Sequence, residues 1–120
     1  MAVLVIGTLD TKGEELAFLR ARLQQAGVEV LLVDAGTGGP PRGADPDFAL
    51  GGEFADRGEA VAAMAKAAAE LAARLYAEGR VDGVLGAGGS GNTAIVTAAM
   101  RALPVGVPKL MVSTMAAGYA

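Results

Sequence analysis

The opening stretch MAVLVIGTLDTKG (residues 1–13) decides the fold, because an unbroken apolar run leads directly into a polar segment with glycine at both ends. Val3 to Ile6 are predicted to form a buried strand. Continuous apolar runs, rather than alternating ones, are typical of parallel strands that are covered on both faces. We call residues Gly7–Gly13 the first glycine segment.

A second stretch, VDGVLGAGGSGNT (residues 81–93), repeats this arrangement further along the chain. Val81 to Leu85 are predicted to form a strand, and Gly86–Thr93 are the second glycine segment. If both strands belong to one parallel sheet, the two segments open at the same edge. N–H and hydroxyl donors can then converge on a phosphate chain there.

The rest of the chain alternates between apolar runs and amphipathic segments. Strands and helices are predicted in turn at residues 2–6, 13–26, 28–34, 57–78, 81–85, 92–103 and 109–113, with a turn-rich stretch at 35–56. This alternation predicts an α/β fold with a parallel sheet. Right-handed crossovers favour a three-layer, doubly wound sheet of strand order 2-1-3-4, with both glycine segments at the reversal of that order.

Composition excludes several classes of function. The 120 residues are 52% hydrophobic, which is enough for one small domain spanning residues 1–120. A formal net charge of -3, without a basic stripe, argues against nucleic acid or an anionic membrane as partner. The chain has no cysteine and no histidine, which excludes thiol and imidazole chemistry. The first apolar run is too short for a signal peptide, so a cytoplasmic location is expected.

The second glycine segment matches two known phosphate-binding motifs only in part. Gly86, Gly88 and Gly91 fit the GxGxxG fingerprint, but no Asp or Glu follows Asp82 to bind a ribose. The spacing of a P-loop also fits, but Asn92 stands where that motif has lysine. The segment is therefore predicted to hold oxyanions at a helix N-terminus. Its candidate binding residues are Gly88, Gly89, Ser90, Gly91, Asn92 and Thr93.

The first glycine segment supplies the charge that the second lacks. Lys12 offers an ammonium group to phosphate, and Asp10 is the predicted Mg²⁺ ligand. Asp34 ends the second predicted strand, where doubly wound folds keep a ribose-binding acid; the alternative is a plain turn residue. Arg57, at a predicted helix start, is a candidate for phosphate. Further candidates in the first segment are Gly7, Thr8 and Thr11.

Four ordered blocks of sequence together resemble one protein family. They are GTLDTKGEE (7–15), DRGEAV (56–61), GGSGNT (88–93) and ALPVGVPKLMVSTMA (102–116). In these blocks the chain is similar to the ATP-binding domain family of the tomato mosaic virus resistance protein and its bacterial relatives. The resemblance implies a Rossmann-like subdomain that binds ATP with Mg²⁺ and forms the first part of a longer, multidomain protein.

Three functions remain open at this point. The first is ATP binding by both glycine segments; no convincing general base is present, so whether ATP is hydrolysed is left undecided. The second is a protein-interaction module with ATP as a structural or regulatory ligand, since in the plant member of the family this region contacts a viral replication protein. The third places a phosphorylated metabolite in the same pocket. The open edge of the last predicted strand favours a homo-oligomer or contact with a second subdomain.

Overall fold

The computed structural model describes residues 2–36, 45–50, 57–88 and 90–113. Strands and helices alternate along these residues, as the sequence predicts, with one additional short strand. The elements are β1 (Ala2–Gly7), α1 (Leu9–Gln25), β2 (Glu29–Asp34), β3 (Phe48–Ala49), α2 (Arg57–Ala77), β4 (Val81–Gly88), α3 (Ser90–Arg101) and β5 (Lys109–Ser113). The predicted α/β class is confirmed.

The five strands of the described residues all pair in parallel, in the order β3-β2-β1-β4-β5. The four strands predicted from the sequence take their predicted relative positions. The predicted order 2-1-3-4 was nevertheless incomplete, because β3 extends the sheet beyond β2. Asp47 begins this extension: its N–H donates to the Leu32 carbonyl at 2.8 Å, and its Oδ2 accepts from the Leu32 N–H at 2.7 Å.

Helices cover both faces of the sheet. Successive side chains of β1 point to opposite faces. Leu4 and Ile6 belong to the larger core, which α2 and α3 complete, whereas Val5 lies in a smaller core completed by α1. The predicted three layers are therefore present, with one helix on one face and two on the other.

Glycine ends the longest helix at the position that the sequence predicts. Gly79 follows α2 with φ of +74°, a left-handed conformation that glycine adopts without steric cost. The buried stripe of α2 is formed by Met64, Ala68, Leu71 and Leu75 at spacings of three and four. None of the helices within the described residues has the length and apolar character needed to cross a bilayer.

Candidate functional site

The two glycine segments follow neighbouring strands and meet at the same edge of the sheet. β1 and β4 are parallel neighbours, and Ile6 lies opposite Gly86 in their register. Both strands therefore run toward the same edge, their carboxyl edge. The prediction that the two segments open at one edge is confirmed.

Most of the first glycine segment is helical, whereas the sequence predicts a helix only from residue 13, so the predicted start of this helix was wrong. Thr8 is the extended N-cap residue, and α1 already begins at Leu9, whose side chain is fully buried. The Thr8 carbonyl accepts the Lys12 N–H at 2.7 Å. Lys12 itself leaves helical geometry, with φ of -123° and ψ of 22°. The kink at this residue makes Leu9 to Thr11 a separate first turn ahead of the main helix.

The second glycine segment is also more regular than expected, because the sequence predicts a strand only to residue 85 and a helix only from residue 92. β4 continues to Gly88 and α3 begins at Ser90, so that only Gly89, which lies outside the described residues, stands between them. Ser90 to Thr93 thus form the first turn of α3, where backbone N–H groups lack partners within the helix. The side chains of Ser90 and Asn92 lie outside the described residues, and Thr93 is half-buried.

Two glycines in the neighbouring strands β1 and β4 have a packing reason that was not predicted from the sequence. A Cβ atom added at Gly7 would come within 3.0 Å of the Leu16 side chain on α1. One added at Gly86 would meet Val96 on α3 equally closely. Each glycine therefore allows a helix to pack tightly on its own strand. Both helix N-termini are held against the carboxyl edge as a result.

Asp34 lies beside the first turn of α1, at the end of β2. It pairs with Gly7 in the register of β1 and β2, and only 6% of its surface is exposed. Its Oδ1 accepts the Leu9 N–H at 3.1 Å and the Gly36 N–H at 2.8 Å. The predicted contact of Asp34 with a sugar stays a prediction. Sequence reasoning missed these two backbone partners, since one of them is 25 residues away.

The remaining predicted site residues are placed only by their backbone. Asp10 and Thr11 lie in the first turn of α1, and their side chains are outside the described residues. Arg57 is the first residue of α2, which also begins at the carboxyl edge, because helices that connect parallel strands run back across the sheet. Within the described part of the chain, no three acidic side chains form a group able to hold a metal ion. The Mg²⁺ site at Asp10 stays a prediction.

These features define a class: a three-layer, parallel α/β domain in which helices from opposite faces begin side by side at one sheet edge. The chain belongs to the uncharacterised protein family UPF0261, whose N-terminal domain it matches over residues 1–120. The family resemblance seen in the four sequence blocks is thereby confirmed.

Relatives of the chain occur in bacteria and in a plant. It is 46% identical to a UPF0261 protein of Rhizobium meliloti, over 97% of this chain and 31% of the relative. It is 39% identical to a UPF0261 protein of Clostridium tetani, over 97% and 32%. It is 36% identical to the ToMV resistance protein Tm-1 of Solanum lycopersicum, over 97% and 19%. The chain thus spans about a third of the length of these bacterial relatives.

Proposed function

We propose that this domain binds ATP by its phosphates at the carboxyl edge of the sheet, between β1 and β4. The observation that carries the proposal is the placement of α1 and α3, which follow neighbouring strands but pack on opposite faces. In open parallel sheets this arrangement leaves a crevice between the strands, and ligands bind in it. Two helix N-termini at one crevice favour a ligand with several negative charges. A Rossmann-like, doubly wound fold is the finer description that the proposal assumes.

The charges near the crevice support an anionic ligand. Lys12 is half-buried, and among the carboxylates whose side chains the structure describes, a set that does not include Asp10, none forms an ion pair with it. The first turn of α3 carries no acidic residue. In this proposal Lys12 holds one phosphate and the backbone N–H groups of α3 hold another, while Asp10 binds Mg²⁺. The further binding residues in the proposal are Gly7, Thr8, Thr11, Arg57, Gly88, Gly89, Ser90, Gly91, Asn92 and Thr93.

A second candidate function is a protein-interaction module that ATP stabilises or regulates. Similarity to a plant protein named for resistance to a virus favours this candidate. So does apolar surface near β5, where the side chain of Leu110 is 60% exposed and that of Val105 is completely exposed. Both candidates use the same nucleotide site, and they differ in whether ATP is consumed.

Calorimetric titration of the domain with ATP and MgCl₂ tests the proposal. We expect saturable binding at one site and a melting temperature that rises with ATP concentration, because a ligand that binds only the folded state stabilises it. An assay of phosphate release on the same samples then separates the candidates, since binding without release favours the interaction module. Stabilisation by a sugar phosphate but not by ATP would replace the nucleotide with a phosphorylated metabolite.

A further inference from the structure

We infer that Asp34 is a positioning residue, whose carboxylate holds the first turn of α1 in place for phosphate binding without itself touching the ligand. This inference rests on the proposed function and deepens it. It assigns Asp34 a different role from the sugar contact expected for an acid at this position.

The first turn of α1 needs an anchor of its own. The break in helical geometry at Lys12 separates Leu9, Asp10 and Thr11 from the main part of α1. The Thr8 side chain, at the N-cap, forms no capping hydrogen bond. Such a bond ordinarily fixes the first turn of a helix. The capping role is therefore open to an acceptor from elsewhere in the fold.

Asp34 supplies the missing cap from the neighbouring strand. Its Oδ1 accepts the Leu9 N–H, the first donor of α1, and the same oxygen accepts the N–H of Gly36. The carbonyl of Gly7 accepts the Ala35 N–H at 2.8 Å alongside. These bonds tie the start of α1 to the chain that leaves β2. A carboxylate at this helix end is also favoured by the helix dipole.

The same bonds decide which donors of the first turn remain for a ligand. The Leu9 N–H is taken by Asp34, and the Lys12 N–H is taken by the Thr8 carbonyl. Helix geometry leaves the N–H groups of Asp10 and Thr11 without partners inside the helix. These two donors are directed by the turn that Asp34 anchors. Moving the anchor moves both donors together.

Electrostatics argue against direct contact between Asp34 and phosphate. A carboxylate repels a phosphate group at short range, and the repulsion is strongest where water is excluded. The negative charge of Asp34 is instead directed at two backbone N–H groups in a buried setting. Backbone N–H donors require an acceptor oxygen at this position, and asparagine has that oxygen without the negative charge. Asp34→Asn is therefore the informative replacement.

Two probes and three variants test the inference. The probes are ATP and inorganic tripolyphosphate, which has the phosphates but no ribose. The variants are Asp34→Ala, Asp34→Asn and, as matched control, Asp47→Ala. Asp47 also accepts a backbone N–H of β2 through its carboxylate, at 2.7 Å, but is joined to β2 and β3 rather than to α1.

We expect Asp34→Ala to weaken the binding of ATP and of tripolyphosphate by the same factor. This factor should be about tenfold or more, the scale for a lost hydrogen bond to a charged group. Asp34→Asn keeps the acceptor oxygen and should stay within about twofold of the unmodified protein, as should Asp47→Ala. A loss of affinity for ATP with unchanged affinity for tripolyphosphate would show a sugar contact and overturn the inference. Unchanged binding of both probes in Asp34→Ala would also overturn the inference, as would a large loss of affinity in Asp34→Asn. If Asp34→Ala does not fold, the affinities of Asp34→Asn alone test the inference.

Amide hydrogen exchange separates this inference from the proposed function. Exchange at Leu9 and Gly36 should be faster in Asp34→Ala by about tenfold or more and remain slow in Asp34→Asn, because local opening follows the lost acceptor. If the unmodified protein binds neither probe, the proposed function fails. Exchange at these two amides then still shows whether Asp34 holds the turn, and unchanged exchange would refute that role.

Discussion

Gly7 lies directly beneath Leu16, and this contact sets how closely α1 packs on β1. Replacing Gly7 with alanine would put a methyl group within 3.0 Å of the Leu16 side chain. We expect Gly7→Ala to lower the free energy of unfolding by about 1–3 kcal/mol, the range for overpacking a core. Urea unfolding followed by circular dichroism measures this loss.

Truncating Leu16 provides the control for this prediction. In a Leu16→Ala background there is room for the methyl group added at Gly7. Adding Gly7→Ala to Leu16→Ala should therefore lower the free energy of unfolding only slightly further. A double-mutant cycle should give a coupling of about 0.5–3 kcal/mol, as for residues in direct contact. Strict additivity would contradict the packing explanation.

Gly86→Ala is expected to be more destabilising than Gly7→Ala. The atoms nearest a Cβ at Gly86 include Val96 Cβ at 2.9 Å, whereas at Gly7 they are Cγ and the two Cδ atoms of Leu16, which lie further from the backbone. A leucine can move the end of its side chain, but valine in a helix has a single strongly preferred rotamer and a Cβ fixed by the backbone. α3 itself must therefore shift. Equal or smaller loss of stability in Gly86→Ala, measured by the same urea unfolding, would contradict this ranking.

Lys12→Ala should weaken ATP binding if Lys12 holds phosphate. The expected loss is about 1–3 kcal/mol, the range for a hydrogen bond to a charged group, and calorimetric titration measures it. Lys66→Ala is the matched control, because Lys66 is an exposed lysine within α2. Equal affinities for the two variants would remove Lys12 from the site.

The exposed apolar surface near β5 should promote self-association. In the part of the chain that the structure describes, β5 pairs only with β4, and Leu110 is 60% exposed. We expect sedimentation velocity to show a mass that grows with protein concentration, and Leu110→Lys to reduce that growth, since lysine discourages pairing at sheet edges. Phe18→Lys changes a similarly exposed residue, 63%, on α1 and should have no such effect. A monomer at all concentrations would contradict the prediction.

Much of the fold could be predicted because it depends on local pattern. The strands β1, β2 and β5 contain continuous apolar runs, β4 contains one after Asp82, and the buried stripe of α2 follows helical spacing. β3 was missed because two residues, Phe48 and Ala49, carry no recognisable period within a stretch of glycine and proline. What fixes β3 is the pairing of Asp47 with Leu32, which becomes visible only once the chain is folded.

The site was harder to predict, because distant contacts override local preference there. Thr8, Asp10, Thr11 and Gly13 are weak helix formers, so a loop was the reasonable expectation for the first glycine segment. The burial of Leu9 and the hydrogen bond from its N–H to Asp34 make this segment begin as a helical turn instead. No sequence window around residue 9 contains the acceptor at residue 34. The edge at which the segments meet was predictable, but the shape of each segment was not.

The position of β1 has a consequence for biosynthesis. Among the strands of the described residues it comes first in the chain but lies in the middle of the sheet, flanked by β2 from Glu29 and β4 from Val81. In a nascent chain β1 can pair early with β2, but its other edge stays unpaired until β4 emerges. An unpaired apolar strand is prone to misassembly during that interval. The time needed to translate the residues between β2 and β4 therefore sets how long β1 waits for its second partner strand.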